Sequence, residues 1–259
     1  MKPTKIKRLF LDLETSPNIV YSWNVGYDIK LDYKNIVKER AIVCLAYKFE
    51  GDKKVKSLTW DRAQDDRDML EQFASVLNSA DEVVGHNSDN FDLKWIRARC
   101  AAHGIKLSSI IKGVDTLKIA KAGFRFNSNT LDYISKFLGA GEKIKTDFQL
   151  WKDVMDGDEP ALDKMVKYCK HDVEVAEEVY RKLQSYVNIK THAGVVNGGE
   201  KYHCPECAST NTQRRGFRTS AVGDKRQIVS CTDCGRNFTV AKAVIKKMLR
   251  DERAAKNEQ

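Results

Sequence analysis

Two carboxylates near the amino terminus have the spacing of a metal-binding pair. Asp12 and Glu14 follow an apolar segment, residues 6–11, which predicts a buried β-strand. Because side chains alternate along a strand, residues i and i+2 point to the same face. Two acids on one face of a core strand repel each other, and burial disfavours their charged forms. The pair therefore indicates half of a site for a cation.

Two further acidic motifs lie later in the chain. Asn87 and Asp92 occur where a short predicted strand gives way to a helix. Tyr168 and Asp172 occur in a long predicted helix, residues 159–186, at the spacing i, i+4 that places both on one helix face. Each motif alone is typical of a strand end, a first helical turn or an amphipathic helix edge. The prediction of a site therefore depends on the three motifs together.

In order, element type and spacing, the three motifs resemble those of the DEDD superfamily of 3′–5′ exonucleases. The tyrosine of the third motif is similar to the DEDDy branch, which includes the proofreading domains of family B DNA polymerases. The histidine branch has its histidine five residues before the last aspartate, where this chain has Lys167. The resemblance covers about residues 5–186 and implies an RNase H-like fold that releases nucleoside 5′-monophosphates from a 3′ end.

The resemblance also implies roles for individual residues. Four carboxylates would hold two Mg²⁺ or Mn²⁺ ions, and a tyrosine would orient the attacking water. These residues are Asp12, Glu14, Asp92, Asp172 and Tyr168. Four residues beside the first two motifs, Leu13, Thr15, Asn87 and Phe91, are expected to contact nucleic acid. Of the neighbouring polar residues, Asp89 is interpreted as a loop residue, Asp115 as a helix cap and His171 as an ordinary, partly exposed histidine.

Four of the seven cysteines form two C-x2-C pairs separated by 23 residues. The pairs are Cys204 with Cys207 and Cys231 with Cys234. Such pairs in a reducing compartment predict one structural Zn²⁺ ion whose four thiolates leave no open position for catalysis. The remaining three, Cys44, Cys100 and Cys169, are expected to be buried, and no disulfide framework is indicated.

The cysteine module is strongly basic. The whole chain has a formal net charge of +9, and residues 190–259 contain 14 Lys and Arg against 7 Asp and Glu. The sequence around the second cysteine pair resembles the zinc ribbons of transposases and transcription factors. Four arginines, Arg214, Arg215, Arg218 and Arg236, are therefore expected to contact phosphates. A ribbon that contacts only protein, or serves as a structural cap, is the alternative.

The order of strands and helices expected from the sequence predicts an α/β domain with a small appendage. Strands are expected near residues 41–49, 55–60, 82–86 and 110–114, and helices near 65–78, 91–103, 129–138, 146–155 and 159–186. This pattern predicts a mixed sheet flanked by helices. The expected division is an exonuclease domain at residues 1–188, a linker at 189–200, a four-cysteine zinc ribbon at 201–240 and a basic helix at 241–259.

The leading hypothesis is a two-metal 3′–5′ exonuclease that acts on single-stranded DNA, with a zinc ribbon that aids binding. The alternatives are a nucleic-acid-binding protein on an inactive nuclease scaffold, a structure-selective endonuclease and an RNA exonuclease on the same fold. Neither a signal peptide nor an apolar run of about 18 residues is present, so a cytoplasmic location without membrane partners is expected, in the host cytoplasm for a viral protein. The organisation would suit viral or mobile-element replication or repair, with proteins of those processes as partners.

Overall fold

The computed structural model describes residues 6–26, 28–108, 111–142, 144–187 and 190–257. The chain forms two compact units, one at Lys7–Tyr186 and the other from Val187 onward together with Ile6. The domain boundary expected at residues 188 and 189, the first residues of the predicted first domain and the last two of the predicted terminal helix lie outside the described residues. The four-part domain division therefore remains a proposal.

Ten strands occur in the described part of the chain. They are β1 (Arg8–Thr15), β2 (Ile19–Val20), β3 (Ile36–Lys38), β4 (Ile42–Phe49), β5 (Lys56–Thr59), β6 (Glu82–Gly85), β7 (Lys112–Asp115), β8 (Thr212–Thr219), β9 (Lys225–Cys231) and β10 (Asn237–Val240). The strand predicted at residues 110–114 begins at Lys112 among the described residues, and Ile110 lies outside them.

Eight α-helices and two short 3-10 helices occur in the same described ranges. The α-helices are α1 (Arg67–Asn78), α2 (Asp92–His103), α3 (Thr116–Gly123), α4 (Leu131–Leu138), α5 (Phe148–Met155), α6 (Glu159–Leu183), α7 (Ala193–Val196) and α8 (Lys242–Asn257). The 3-10 helices are Tyr33–Asn35 and Gln184–Tyr186. Among the described helices, none combines the length and apolar character that crossing a lipid bilayer requires.

The first unit is built on a five-stranded mixed sheet with the strand order β5-β4-β1-β6-β7. Strand β1 lies at its centre, antiparallel to β4 and parallel to β6, and β6 is parallel to β7. Helices flank the sheet, so the predicted α/β class with a mixed sheet between helices is confirmed.

The alternation of side chains along β1 separates the core from the polar site. Leu9, Leu11 and Leu13 join a buried cluster that also contains residues of α1 and α2. The opposite face carries Phe10, whose ring centroid lies 5.7 Å from that of Tyr180 in α6. Because residues i and i+2 share a face, the carboxylates at positions 12 and 14 lie on the α6 side of the sheet. The apolar half of the strand thus fixes the direction of its acids.

The segment between β1 and β4 is more ordered than the loop that the sequence predicted. Strands β2 and β3 pair antiparallel within it. A 3-10 helix precedes β3 and is capped by Asp32, whose side chain accepts a hydrogen bond from the Lys34 N–H. Strands this short carry no recognisable alternation, so sequence periodicity could not reveal them.

The second unit contains a three-stranded antiparallel sheet with the order β10-β9-β8. Helix α8 packs against β9. The segment expected as a linker contains α7, whose first N–H, at Ala193, donates to the Pro205 carbonyl at 2.9 Å. A Cβ atom at Gly194 would approach the Cβ of His203 to 2.8 Å, so only glycine allows this approach. Residues 193–205 are therefore packed together.

Candidate active site and zinc site

The central strand positions the first two carboxylates. Asp12 and Glu14 are both half-buried near the end of β1. Leu13, between them, points into the core, and its backbone N–H donates a hydrogen bond to Asp92. The second acidic motif is thereby joined directly to the first. This hydrogen bond links two residues that are 79 positions apart in the sequence.

Close backbone packing brings α2 to this position. A Cβ atom at Gly85, the last residue of β6, would lie 2.9 Å from the Leu11 carbonyl oxygen. Glycine therefore lets the end of β6 approach β1. The chain then turns at Asn87, which adopts a left-handed conformation with φ of 65°, and α2 begins at Asp92.

Asp115 holds this turn in place. As predicted, it caps a helix: its Oδ1 accepts a hydrogen bond from the Leu117 N–H at 2.9 Å, at the start of α3. The same oxygen also accepts from the Asn87 N–H at 2.9 Å, which the sequence did not reveal. Asp89 is a loop residue, as interpreted, and forms an ion pair with Lys118 at 2.7 Å. Asp115 is thus a positioning residue for the second motif.

Helix α6 brings the third motif to the same strand. The Cys169 thiol donates to the Asp12 carbonyl oxygen at 3.3 Å. Burial raises the pKa of this thiol well above its ordinary value, and the charges of Asp12 and Glu14 raise it further. Asp172, one turn later, is buried, and Tyr168 is half-buried. Helix α6, which carries the third motif, therefore lies against β1 at the first carboxylate of that strand.

The donor set fits a cation. Asp92 is 3% exposed, and its Oδ1 atom is buried without a hydrogen-bond partner among the described residues. One carboxylate oxygen of Asp12 and one of Asp172 are also buried. Burial raises the pKa of Asp92 to about 7, and the charge of Asp115 adds to this, while backbone N–H groups of Asp92 and Leu13 oppose it. A cation would remove the cost of burying these charges.

The four carboxylates are spread more widely than the ligands of a single ion. Among the described residues, two groups of ligand atoms lie within 4.8 Å of one another: the four cysteines of the C-x2-C pairs, and Asp65 with Asp66 and His103. The acids of the three motifs do not form a third such group. Two ions about 4 Å apart would share the four carboxylates, so each ion could be held by fewer than three of them, with water completing its coordination shell. The spread is compatible with a site for two ions.

Asp92 gives a testable dependence of stability on pH. Its pKa is raised from 3.8 to about 7 on folding. Between these values the folded state keeps a proton that the unfolded state has released, so stability falls as pH rises, by at most about 1.4 kcal/mol per pH unit. In EDTA, the Asp92→Asn variant should lose this slope when melting temperatures are compared at pH 5, 6 and 7.

The control for this test is the cation. Mg²⁺ should raise the melting temperature of the unmodified chain more at pH 8, where Asp92 is charged, than at pH 5. If the melting temperatures of the variant and the unmodified chain changed equally with pH in EDTA, Asp92 would not be a buried carboxyl without a compensating charge.

The residues expected to contact nucleic acid occupy different environments. The Leu13 side chain lies in the core and its backbone N–H is bound to Asp92, while Phe91 is half-buried against the same core. The Thr15 carbonyl accepts a hydrogen bond from the Trp151 indole N–H at 3.2 Å. These contacts, and that of Asn87, remain predictions. His171 is partly exposed, as interpreted, and bonds to the Glu142 carbonyl at 2.6 Å.

The four cysteines predicted as zinc ligands lie together. The Sγ atoms of Cys204 and Cys234 are 3.6 Å apart, as are those of Cys207 and Cys231. Zn–S bonds of about 2.3 Å in a tetrahedron place sulfur atoms about 3.8 Å apart, so the spacing fits one Zn²⁺ ion. The other three cysteines are buried and free, as expected.

The two cysteine pairs end in similar turns. The residue that follows the first pair, Ala208, and the residue that follows the second, Gly235, both adopt a left-handed conformation, with φ of 61° and 76° respectively. The Glu206 N–H donates to the Cys204 sulfur at 3.4 Å, as expected for a group that stabilises a thiolate. His203 is engaged elsewhere, since its Nδ1 accepts from the Glu200 N–H at 3.2 Å. The structure thus supports four thiolate ligands and no histidine ligand.

The arginines of the ribbon are divided between the faces of its sheet. Arg218 pairs with Arg226 across β8 and β9, and Arg215 lies 3.4 Å from the Ser230 hydroxyl on the same face. Arg214 is opposite the buried Val229 and therefore belongs to the other face. Arg236 donates to the Val187 carbonyl at 2.6 Å. Arg226, which lies opposite Arg218, was not among the arginines predicted to contact phosphates.

Comparison with known proteins agrees with this architecture. One solved structure similar to the chain is that of the family B DNA polymerase from the hyperthermophilic archaeon Pyrobaculum calidifontis, with a TM-score of 0.54 and 15% identity. The match covers 99% of this chain and 43% of the polymerase, and at this identity it shows the fold alone. No curated protein matches the chain. A family model described as RNase H superfamily matches residues 35–184, which is more than half of the chain. The chain therefore belongs to the RNase H superfamily.

Proposed function

We propose that the chain is a metal-dependent 3′–5′ exonuclease that removes nucleoside 5′-monophosphates from single-stranded DNA. The observation that carries the proposal is the hydrogen bond from the Leu13 N–H to Asp92, which joins the carboxylates of β1 to that of α2. Helix α6, which carries Asp172, lies against the same strand through the contact of Cys169 with the Asp12 carbonyl. The choice of DNA over RNA follows the resemblance of the three sequence motifs to those of the proofreading domains of DNA polymerases.

The four carboxylates would act by holding cations at the scissile phosphate. Asp12, Glu14, Asp92 and Asp172 are the proposed ligands. Two Mg²⁺ or Mn²⁺ ions would supply a bound water of lowered pKa and compensate the charge that develops on the phosphate. Hard carboxylate oxygens suit these ions better than softer metals.

The remaining residues would position the reactants. The Tyr168 hydroxyl, one helical turn before Asp172, would orient the attacking water by a hydrogen bond, since a phenol is a poor base at neutral pH. The water oxygen forms a new bond to phosphorus, the bond to the 3′ oxygen of the preceding nucleotide breaks, and that oxygen takes up a proton. Leu13, Thr15, Asn87 and Phe91 would contact the 3′ nucleotide.

The direction of cleavage tests the proposal. Single strands labelled at the 3′ or the 5′ end are digested with Mg²⁺, Mn²⁺ or EDTA, with DNA and RNA in parallel. Mononucleotide release from the 3′ label at early times, together with a ladder from the 5′ label, is expected. Internal cuts would favour a structure-selective endonuclease, preferential digestion of RNA would favour an RNA exonuclease, and binding without cleavage would favour an inactive scaffold.

The four-cysteine site is proposed to bind one structural Zn²⁺ ion, and the ribbon to bind the nucleic-acid backbone. The exposed face of its sheet carries Arg215, Arg218 and Arg226 beside polar residues. A groove on this face, lined by Arg215, Arg218, Ile228, Ser230, Asn237, Phe238 and Thr239, contains no acidic residue. Such a surface complements phosphate groups without reading sequence.

Exchanging the exposed arginines should weaken binding in a salt-dependent way. Each lost phosphate contact lowers the slope of log K against log salt by about 0.7 for a single strand. The double variant Arg215→Gln with Arg218→Gln should therefore reduce this slope by about 1.4 in anisotropy titrations of a long oligonucleotide. Arg62→Gln, whose side chain is 96% exposed in the first unit, is the control and should leave the slope unchanged. Equal slopes for all three proteins would instead assign the ribbon to protein contact or to a structural cap.

A further inference from the structure

Five aromatic rings contact one another in a row in the first unit. Phe124 and Phe126 follow α3, Tyr133 and Phe137 lie on α4, and Tyr186 ends the 3-10 helix after α6. The centroids of neighbouring rings are 5.1–6.0 Å apart, within the range at which aromatic rings attract each other. These five residues are called the aromatic patch below.

Two rings of the aromatic patch are largely exposed. Phe137 is 64% exposed and Tyr186 is 71% exposed. The other three rings, Phe124, Phe126 and Tyr133, are half-buried and pack against the apolar cluster formed by α3, α4 and α6. The exposed rings are therefore held in place by neighbours that belong to the core. A contiguous aromatic surface of this kind, open to solvent, is typical of a site of interaction with another molecule.

The chain around the aromatic patch is basic. Residues 118–145 contain six Lys or Arg and two Asp or Glu, whereas residues 1–189 as a whole are nearly balanced, with 31 against 29. Lys121 and Arg125, on either side of Phe124 in the sequence, are exposed and form no ion pair with another described residue. A negatively charged ligand complements this surface. A second copy of the chain would bring the same positive charge and be repelled.

The arrangement of the rings favours a protein ligand over unpaired bases. Phe124 and Phe126 are stacked with an interplanar angle of 9°, and Tyr133 and Phe137 with one of 22°. Phe137 also makes a T-shaped contact with Phe126, and Tyr186 makes one with Phe124. Successive bases of a single strand stack on free aromatic faces, and here four of the five rings have a face covered by another ring. The irregular apolar surface that results suits the branched or aromatic side chains of a protein segment.

We infer that the aromatic patch is the docking site of an acidic segment of a partner protein. An apolar side chain of that segment would pack against Phe137, and its carboxylates would lie at Lys121 and Arg125. The aromatic contact supplies most of the affinity, while the charges steer the segment and set its direction. The patch contains none of the residues proposed to bind metal or nucleic acid, so the inference goes beyond the proposed function and does not depend on it.

A synthetic peptide tests the patch in the absence of nucleic acid. The probe is a fluorescent run of aspartates interrupted by one leucine and one phenylalanine, and its anisotropy is followed in EDTA. Phe137→Ala should raise Kd about tenfold, the effect of removing an aromatic side chain that anchors a ligand. Phe148→Ala removes an equally large ring that is 62% exposed at the start of α5, and it should leave Kd unchanged. Melting temperatures of both variants should match that of the unmodified chain, because both rings are exposed.

The charges of the surface have their own test. The double variant Lys121→Gln with Arg125→Gln should raise Kd about fivefold at low salt, and the difference should shrink as salt screens the charges. Arg62→Gln, whose side chain is 96% exposed outside the patch, should leave Kd unchanged. A peptide with asparagines in place of the aspartates should bind the double variant and the unmodified chain equally.

Several outcomes would overturn the inference. They are the absence of saturable peptide binding, an unchanged Kd for Phe137→Ala, or an equal loss by the double variant with the asparagine peptide. Loss of oligonucleotide binding but not of peptide binding in Phe137→Ala would assign the patch to nucleic acid. A dimer in sedimentation that dissociates in Phe137→Ala would assign it to a second copy of the chain. Because no measurement here involves hydrolysis, failure of the docking site would leave the exonuclease proposal standing, and a chain that cuts no strand would leave the docking site standing.

Discussion

Replacing Asp12 or Asp172 with alanine should reduce hydrolysis about 10³-fold or more while leaving the fold intact. Each change removes a proposed ligand, and a loss of several kcal/mol of charge stabilisation in the transition state corresponds to this factor. The fold should survive because each side chain has a buried carboxylate oxygen, and removing a buried charge removes the cost of desolvating it. Release of labelled mononucleotides and the melting temperature are measured on the same preparations.

A buried acid with a structural role provides the control. Asp66 is fully buried, accepts hydrogen bonds from Arg99 at 2.8 Å and from the Ile42 N–H at 2.8 Å, and contacts His103. Asp66→Ala leaves the Arg99 charge without this partner and should cost about 3–5 kcal/mol of stability. Its remaining folded fraction should still hydrolyse the substrate. Full hydrolysis by both Asp12→Ala and Asp172→Ala would remove the acidic site from the proposal.

The sequence predicted those parts of the fold that follow from short-range patterns. The period of two along β1, the helical spacing at residues 65–78 and the glycine that ends α2 each act within a few residues. The cysteine pairs belong to the same class, because metal-ligand spacing is a local property. The Asp115 cap was also predictable, because an aspartate just before a helix accepts hydrogen bonds from the first backbone N–H groups of that helix.

Features that depend on distant packing could not be predicted. The second role of Asp115, as acceptor for the Asn87 N–H, requires β6 and β7 to be neighbours. A groove beside Glu14 joins residues from β1, the segment before β4 and the start of α5. The irregularity in β8 between Arg214 and Phe217 decides that Arg218 lies on the opposite face from Arg214. Each of these features depends on contacts between distant residues, which the spacing of residues in a single sequence does not reveal.

Removal of zinc should unfold the second unit and spare the first. Zinc binding supplies about 10–16 kcal/mol in small zinc-finger peptides, and this unit has few buried apolar side chains apart from Val229, Val240 and Met248. Cys204→Ser removes one of four ligands, so the bound zinc and the resistance of the ribbon to proteolysis should both be lost. Binding to long oligonucleotides should weaken, while cleavage of short ones continues at the acidic site.

The matched control is a buried cysteine of the first unit. Cys100 lies in the core cluster of α1 and α2 and is 1% exposed, so Cys100→Ala should lower the melting temperature of that unit and leave one zinc bound per chain. The two cysteine variants should thus destabilise different units. Since the charged side chains of the ribbon cannot form a core, retention of its protease resistance in Cys204→Ser would mean that packing rather than metal stabilises it. Loss of short-substrate cleavage in Cys204→Ser would show that catalysis requires the folded ribbon, and the division of labour proposed here would be wrong.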